Sequence, residues 1–138
     1  MSELTFTLYA RPEPQGSTRA FMVGGRPRIT STNAKLKPYR HALTQIALET
    51  LSQNATEAPL APSGTAVEVH IVWTLAKPKS TPKRVTMPTK KPDADKLMRA
   101  CLDALTGVAY ADDSQVVRAT VAKQYGSPER TEITVRAI

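Results

Sequence analysis

The sequence predicts an α+β fold in which two helices pack on one face of a small mixed β-sheet. Segments with apolar residues at every second position alternate along the chain with two segments whose apolar residues recur at helical spacing. Their order is strand, hairpin, helix, strand, helix, strand, strand, which is typical of α+β domains. With 138 residues and no internal repeat, the chain is expected to form one domain over residues 1–138.

The first half of the chain contains a strand, a hairpin and a helix. Residues 4–9 alternate between apolar and polar side chains, as in a half-buried strand. Gly24 and Gly25 can form the two-residue turn of a hairpin. Pro38 suits the first turn of a helix, and apolar residues continue at helical spacing from there to Leu51.

The second half begins with residues 65–74, whose alternation predicts a strand with Trp73 on its apolar face. A helix is predicted from about Asp95 to Thr106, because five apolar residues between 97 and 105 fall on one arc and Gly107 can end it. Asp95, Arg99 and Asp103 form a separate stripe on this helix. Residues 115–125 and 130–138 predict two closing strands.

Residues 77–92 differ in composition from the rest of the chain. They hold six Lys or Arg residues, four prolines and no acid. Proline at this density prevents both a helix and a central strand, so we expect an extended, mobile basic loop. Its cations can bind the phosphate backbone of DNA, and the candidates are Lys79, Lys83, Arg84, Lys90 and Lys91. The alternative is a linker that is merely soluble.

Three further arginines, Arg19, Arg26 and Arg28, lie on or beside the predicted hairpin. They are candidates for phosphate contact, although they could equally belong to a solvated loop. The net charge of +7 and the sequence pI near 9.8 favour a nucleic-acid partner. Large aromatics are few, so base stacking is not expected to dominate recognition.

Several other classes of protein do not match this composition. The single cysteine, Cys101, permits no intrachain disulfide and lies on the apolar helix face, where a reduced core thiol is expected. No Cys/His cluster has zinc-site spacing, and nothing indicates a small-molecule cofactor. The sequence begins without a signal peptide and has no membrane span, so we predict a cytoplasmic protein with no membrane partner.

The aspartates are concentrated in one stretch. All five lie between residues 93 and 113, at Asp93, Asp95, Asp103, Asp112 and Asp113. Carboxylate oxygens close to a fixed backbone suit Mg²⁺. Clustered carboxylates repel one another, and a bound cation would remove that repulsion if the chain doubles back on itself. The pattern predicts a metal site, although Asp93-x-Asp95 could instead cap the helix and interact with its dipole.

The same stretch resembles a known family. Lys91-Pro-Asp-Ala-Asp-Lys-Leu-Met-Arg-Ala, Leu102-Asp-Ala-Leu-Thr-Gly and Tyr110-Ala-Asp-Asp-Ser-Gln-Val-Val are similar to the signature of the RusA family of Holliday-junction resolvases. The resemblance is close over residues 91–117. It implies a homodimeric, metal-dependent endodeoxyribonuclease that resolves Holliday junctions and other branched DNA by paired phosphodiester hydrolysis. The implied cofactor is Mg²⁺, with Mn²⁺ as a possible substitute.

The resemblance also implies roles for individual residues. The metal-binding aspartates of the family fall on Asp93, Asp95 and Asp113, and Asp112, the neighbour of the last, is a further metal candidate. The catalytic helix lysine of the family falls on Arg99, which cannot give up its proton, so its role would be electrostatic. Lys96 occupies a position that is often Asn in the family and could add a cation for DNA.

Two other functions remain open at the level of the sequence. One is a non-catalytic DNA-binding protein that assists recombination, in which the aspartates cap a helix and pair with basic residues. The other is a metal-dependent hydrolase of nucleotides, which the long basic loop argues against because a small nucleotide needs no such extended cationic surface.

Overall fold

The computed structural model describes residues 2–16, 18–31 and 33–138, and for residues 18–21 and 28–31 it describes the backbone only. The predicted order of elements is confirmed. Along the chain they are β1 (Glu3–Leu8), β2 (Thr18–Val23), β3 (Arg26–Ser31), α1 (Leu36–Gln53), β4 (Val67–Leu75), α2 (Ala94–Leu105), β5 (Val116–Tyr125) and β6 (Arg130–Ala137). A short 3-10 helix (Asp113–Gln115), which the sequence pattern did not indicate, lies between α2 and β5.

Four of the strands form a mixed sheet in the order β1-β6-β4-β5. β4 and β5 are parallel, whereas β6 is antiparallel to both β1 and β4. A parallel pair needs a crossover connection, and α2 lies within the one that joins β4 to β5. β2 and β3 form a separate hairpin whose turn residues, Gly24 and Gly25, have φ of 56° and 77°.

The core lies between one face of the sheet and the two helices, as the predicted α+β architecture requires. Alternate residues of β4, from Val67 to Trp73, are at most 1% exposed and face this layer. Tyr39 and Leu43 of α1 and Leu97 of α2 belong to the same buried cluster. Cys101 is fully buried there, and burial raises the pKa of its thiol to about 11, which agrees with a core cysteine.

The other face of the sheet carries an ion-pair network centred on Glu68 of β4. Its carboxylate accepts hydrogen bonds from Arg118 of β5 at 2.9 Å and from Arg136 of β6 at 2.8 Å. Arg136 also donates to Glu3 of β1 at 3.0 Å. All four strands of the sheet are therefore linked by charged side chains on this face.

Residues 77–92 contain neither helix nor strand, as predicted. The segment is not extended throughout, however, because two tight turns shorten it. The Thr81 N–H donates to the Pro78 carbonyl and the Val85 N–H to the Pro82 carbonyl, each at 3.0 Å. The mobility of this basic loop stays a prediction. In the described ranges, no helix is long and apolar enough to cross a membrane.

Candidate active site

Asp93 lies at the entrance of α2 but does not cap it with its side chain. Its backbone is extended, with φ of −73° and ψ of 137°, and its carbonyl accepts the Leu97 N–H at 3.0 Å. The carboxylate makes no capping hydrogen bond. The Nζ of Lys96 lies 3.9 Å from the Oδ2 of Asp93, so the carboxylate has a cation nearby. The capping role considered for Asp93 is therefore not what the side chain does.

The chain doubles back after α2 and brings the second pair of aspartates to the helix. The Tyr110 hydroxyl donates to the Leu102 carbonyl at 2.7 Å, which ties the returning segment to α2. The Leu60 N–H donates to the Val108 carbonyl at 2.9 Å and holds the segment from the other side. The 3-10 helix that follows contacts α2. Burial, and the nearby charge of Asp113, raise the pKa of the Tyr110 hydroxyl.

Asp112 and Asp113 have different surroundings although they are adjacent. Asp112 caps the 3-10 helix, since its Oδ1 accepts the Ser114 N–H at 2.9 Å, and this hydrogen bond lowers the pKa of the Asp112 carboxyl. Gln115 completes the turn: its Oε1 accepts the N–H of Asp112, and its Nε2 donates to the carbonyls of Pro62 and Thr65. Asp112 thus stabilises the start of the 3-10 helix, and its role as a metal ligand stays a prediction.

Asp95 and Asp113 line the same cavity, which has a volume of about 520 Å³. Arg99 and Asp103, one and two helical turns after Asp95, line it as well. Among the described residues, no ion pair joins Arg99 to these carboxylates. The arrangement is three carboxylates, one guanidinium and the ammonium group of Lys96 around a space large enough for a hydrated ion and a phosphate. Asp103 was not predicted as a site residue, although its place in the helical stripe was a signal for it.

Asp93 opens onto an adjoining cavity of about 710 Å³. Lys96 lines both cavities, as do Gln15 and Gly16. The Gln15 N–H donates to the Lys96 carbonyl at 3.0 Å, which places the segment before the hairpin against α2. The predicted metal residues are therefore divided, with Asp95 and Asp113 facing one cavity and Asp93 facing the next.

Side chains in the described part of the chain form no group of three His, Cys, Asp or Glu residues that could hold a metal ion. Mg²⁺ does not require such a group, because it keeps several of its waters and commonly takes only one or two protein carboxylates. Asp95 and Asp113 supply carboxylate oxygens on one cavity, and no described His or Cys lines it. This donor set fits a hard divalent ion.

The predicted DNA-binding cations fall into three groups. Lys90, Lys91 and Lys96 line the cavity that contains Asp93. Exposed cations elsewhere on the basic loop and on the hairpin are Lys79, Lys83, Arg84 and Arg26. The side chains of Arg19 and Arg28 lie outside the described part of the structure.

Two basic residues near the site were not predicted from the sequence. Arg11 lines the larger cavity together with Lys90 and Lys91, and its position in a proline-containing segment after β1 was the available signal. Lys123 of β5 donates to the carbonyls of Lys90 and Pro92, each at 3.0 Å. No local pattern marks Lys123, because its partners lie more than thirty residues away in the chain.

Comparison with known proteins identifies the family of the chain. A protein of Bacillus subtilis (strain 168) described as "Uncharacterized protein YqaN" is 27% identical over 146 residues, an alignment that covers 100% of this chain and 99% of that protein. The family model described as "Endodeoxyribonuclease RusA" matches residues 10–136, which include every predicted metal and catalytic residue. The chain belongs to the RusA family of endodeoxyribonucleases.

Proposed function

We propose that the protein resolves Holliday junctions and other branched DNA by hydrolysing phosphodiester bonds with a divalent metal ion, Mg²⁺ or Mn²⁺. The observation that carries the proposal is the cavity on which Asp95 and Asp113 meet beside Arg99. Family membership supports the nuclease class and the DNA partner. The net charge of +7 supports a polyanionic substrate.

Each residue of the site has a separate role in the proposed reaction. Asp95 and Asp113, which line one cavity, would hold the ion, and Asp93, which lines the adjoining cavity, would be a further ligand. A divalent ion in such a site lowers the pKa of a bound water and stabilises charge on phosphate oxygens. Arg99 stabilises the negative charge that develops on the phosphate and, because a guanidinium stays protonated, acts as a fixed charge.

The cations beside the site hold the DNA. Lys90, Lys91 and Lys96 surround the cavity next to Asp93, where they offset the repulsion between aspartates and phosphates. Lys79, Lys83 and Arg84 extend the positive surface along the basic loop. The protein acts as a homodimer, because a four-way junction needs two symmetric cuts and a two-fold dimer presents two equivalent sites.

The decisive experiment incubates the protein with a synthetic four-way junction and with linear duplex of the same sequence, each in Mg²⁺ and in EDTA. We expect paired cuts in the junction with Mg²⁺, little cleavage of the duplex, and none of either substrate in EDTA. Asp95→Asn serves as the control for a contaminating nuclease and should abolish cleavage. Binding of the junction without cleavage in any metal would instead place the chain among non-catalytic recombination accessory proteins.

A further inference from the structure

Lys123 connects the edge strand of the sheet to the end of the basic loop. It lies opposite Trp73 in the parallel pairing of β4 and β5, on the side of the sheet that faces the core. Its half-buried side chain reaches across to the loop, where Nζ donates to the carbonyls of Lys90 and Pro92 at 3.0 Å each. Two of the three ammonium protons are thus used to fix the two residues on either side of Lys91.

The Pro92 carbonyl belongs to the peptide group that joins Pro92 to Asp93. Asp93 is held on its other side by α2, because its own carbonyl accepts the Leu97 N–H. Its carboxylate makes no capping hydrogen bond that would fix it from within the helix. The backbone of Asp93 is therefore clamped between the first turn of α2 and the ammonium group of Lys123.

The composition of the loop explains why a side chain is used for this contact. Pro88 and Pro92 carry no N–H, so the loop cannot pair with β5 through a regular ladder of backbone hydrogen bonds. A lysine is long enough to reach the loop from the strand and supplies several donors from one atom. A neutral apolar side chain at position 123 would leave both carbonyls without this donor.

We infer that Lys123 is a positioning residue that sets the place of Asp93 relative to Asp95 and Asp113, and thereby the affinity of the site for its metal ion. The inference rests on the proposed metal-dependent function. Residues that orient metal ligands typically change metal affinity by about 10–100-fold when they are replaced. Lys123 touches the backbone before Asp93 rather than the reacting atoms. Replacing it should therefore raise the metal concentration needed for half-maximal activity more than it lowers the maximal rate.

The test compares the wild type with Lys123→Met by calorimetric titration with Mn²⁺ in the absence of DNA, and by cleavage rate as a function of Mg²⁺ concentration. We expect Mn²⁺ affinity to fall about 10–100-fold and the half-saturating Mg²⁺ concentration to rise by a similar factor. At saturating Mg²⁺ the rate should return to within a few-fold of wild type. Junction affinity in EDTA should change little by comparison.

Lys77→Met is the matched control. Lys77 also donates from Nζ to a loop carbonyl, that of Lys83 at 3.4 Å, but this contact is remote from Asp93 in the loop. Its removal should leave Mn²⁺ affinity unchanged. If Lys123→Met does not fold, a smaller side chain is tested instead. Lys123→Cys, shown by thermal melting to be folded, is compared before and after aminoethylation, which restores an ammonium group of lysine length. Cys101 is fully buried and is protected from the reagent in the folded protein.

The outcomes separate this inference from the proposed function. Recovery of Mn²⁺ affinity on aminoethylation supports the positioning role. A Lys123→Met protein with wild-type Mn²⁺ affinity, or one whose activity falls only in proportion to its folded fraction, overturns it while the metal-dependent function stands. A wild-type protein that neither binds Mn²⁺ nor cleaves the junction overturns the proposed function itself.

Discussion

Asp113 and Asp112 provide a residue-level test of the metal site because they are adjacent and differ in what their carboxylates do. Asp112 accepts the Ser114 N–H, and an Asn side chain can accept the same hydrogen bond. Asp113 does not cap the helix that it begins. We expect Asp113→Asn to lower junction cleavage by orders of magnitude and Asp112→Asn to lower it much less. Cleavage rate in Mg²⁺ is the measurement, on variants shown by thermal melting to be folded.

Junction affinity in EDTA completes this comparison. Asp113→Asn should bind the junction as well as the wild type or better, because it removes a negative charge near the phosphates. Equal losses of cleavage in both variants would show that Asp112 also serves the metal. Full cleavage by Asp113→Asn would remove Asp113 from the site.

Arg99 allows the electrostatic role of the helix cation to be tested separately. The guanidinium of Arg99 lines the cavity of Asp95 and Asp113, and arginine in proteins is a fixed cation. We expect Arg99→Ala to lower the cleavage rate by about 10²–10³-fold, the usual cost of removing one group that stabilises a developing oxyanion. Arg99→Lys should keep much of the rate, because a lysine retains the charge.

The pH dependence of the rate tests whether the charge at this position is what stabilises the developing negative charge. With a fixed charge, wild type and Arg99→Lys should have the same profile between pH 6 and pH 9. A basic limb that only the Arg99→Lys profile shows would mean that the lysine loses its charge in this range, as lysine can when it is partly buried, and that the rate falls with that charge.

The roles of individual side chains in the candidate site were only partly predictable from the sequence. The motif around Asp112 and Asp113 indicated a candidate functional stretch, yet only the structure shows that Asp112 and Gln115 build the turn while Asp113 faces the cavity. Asp103 stood in the same helical stripe as Asp95 but carried no further signal. Lys123 could not be found from the sequence, because its contacts depend on which strand lies beside the loop.

At the scale of single elements, the basic loop is the segment that we propose holds DNA. Replacement of Lys79, Lys83 and Arg84 with Ala should weaken junction binding at every sequence, because phosphate contacts carry no base specificity. The slope of log affinity against log salt should decrease by up to about 0.9 for each phosphate that the variant no longer neutralises. Fluorescence anisotropy in EDTA over a range of salt concentrations measures this slope.

Lys35 and Lys37 are suitable controls for this experiment, since both are exposed and lie at the start of α1. Their replacement with Ala removes positive charge from the chain without touching the loop. A triple loop variant whose slope equals that of this control would mean that residues 77–92 are only a linker.

The ion pairs of β4 make the stability of the sheet depend on pH. Hydrogen bonds from Arg118 and Arg136 lower the pKa of Glu68 in the folded protein below its usual value near 4.5. The stabilisation is therefore complete above the unfolded pKa and is lost as the pH falls below it towards the folded pKa. We expect Glu68→Gln to lower the melting temperature at pH 7. Between pH 5 and pH 3 the melting temperature of this variant should fall less than that of the wild type. An unchanged pH dependence would show that the ion pairs of Glu68 contribute nothing measurable to stability.

The elements themselves were well predicted because their periodicities are strong. Residues 65–74 alternate cleanly, and the apolar arc of α2 is unbroken, so the observed β4 and α2 differ from the predicted bounds by one or two residues. The two turns within the basic loop were not predicted, since proline density excludes regular structure without specifying which carbonyl each N–H meets. The 3-10 helix was not predicted either, because three residues are too few to show a periodic pattern.

At the scale of the whole molecule, the parallel pairing of β4 and β5 gives the site its form. The crossover through α2 allows one helix to carry Asp95 and Arg99 while the chain returns with Asp113 just before β5. The sequence predicted a mixed sheet, but not its strand order, because that order depends on long-range pairing. The described part of one chain presents a single such cavity, whereas the proposed resolution of a four-way junction requires two cuts.

The last prediction follows from this mismatch between one site and two cuts. A two-fold homodimer places identical sites at symmetry-related strands of the junction, so both cuts can occur in one encounter. We expect sedimentation to show a dimer at micromolar concentration. In addition, heterodimers of one wild-type and one Asp113→Asn subunit, purified with two different affinity tags, should cut only one strand of a cruciform on a supercoiled plasmid.

The plasmid distinguishes these cases directly, because one cut gives a nicked circle and two opposed cuts give a linear molecule. Wild-type dimers should yield linear plasmid, the mixed dimers nicked circles, and Asp113→Asn dimers unchanged supercoils. If the mixed preparation instead yields linear plasmid at about half the wild-type rate, each subunit completes both cuts by itself and the dimer is not the active unit. A chain that sediments as a monomer and still makes paired cuts would lead to the same conclusion.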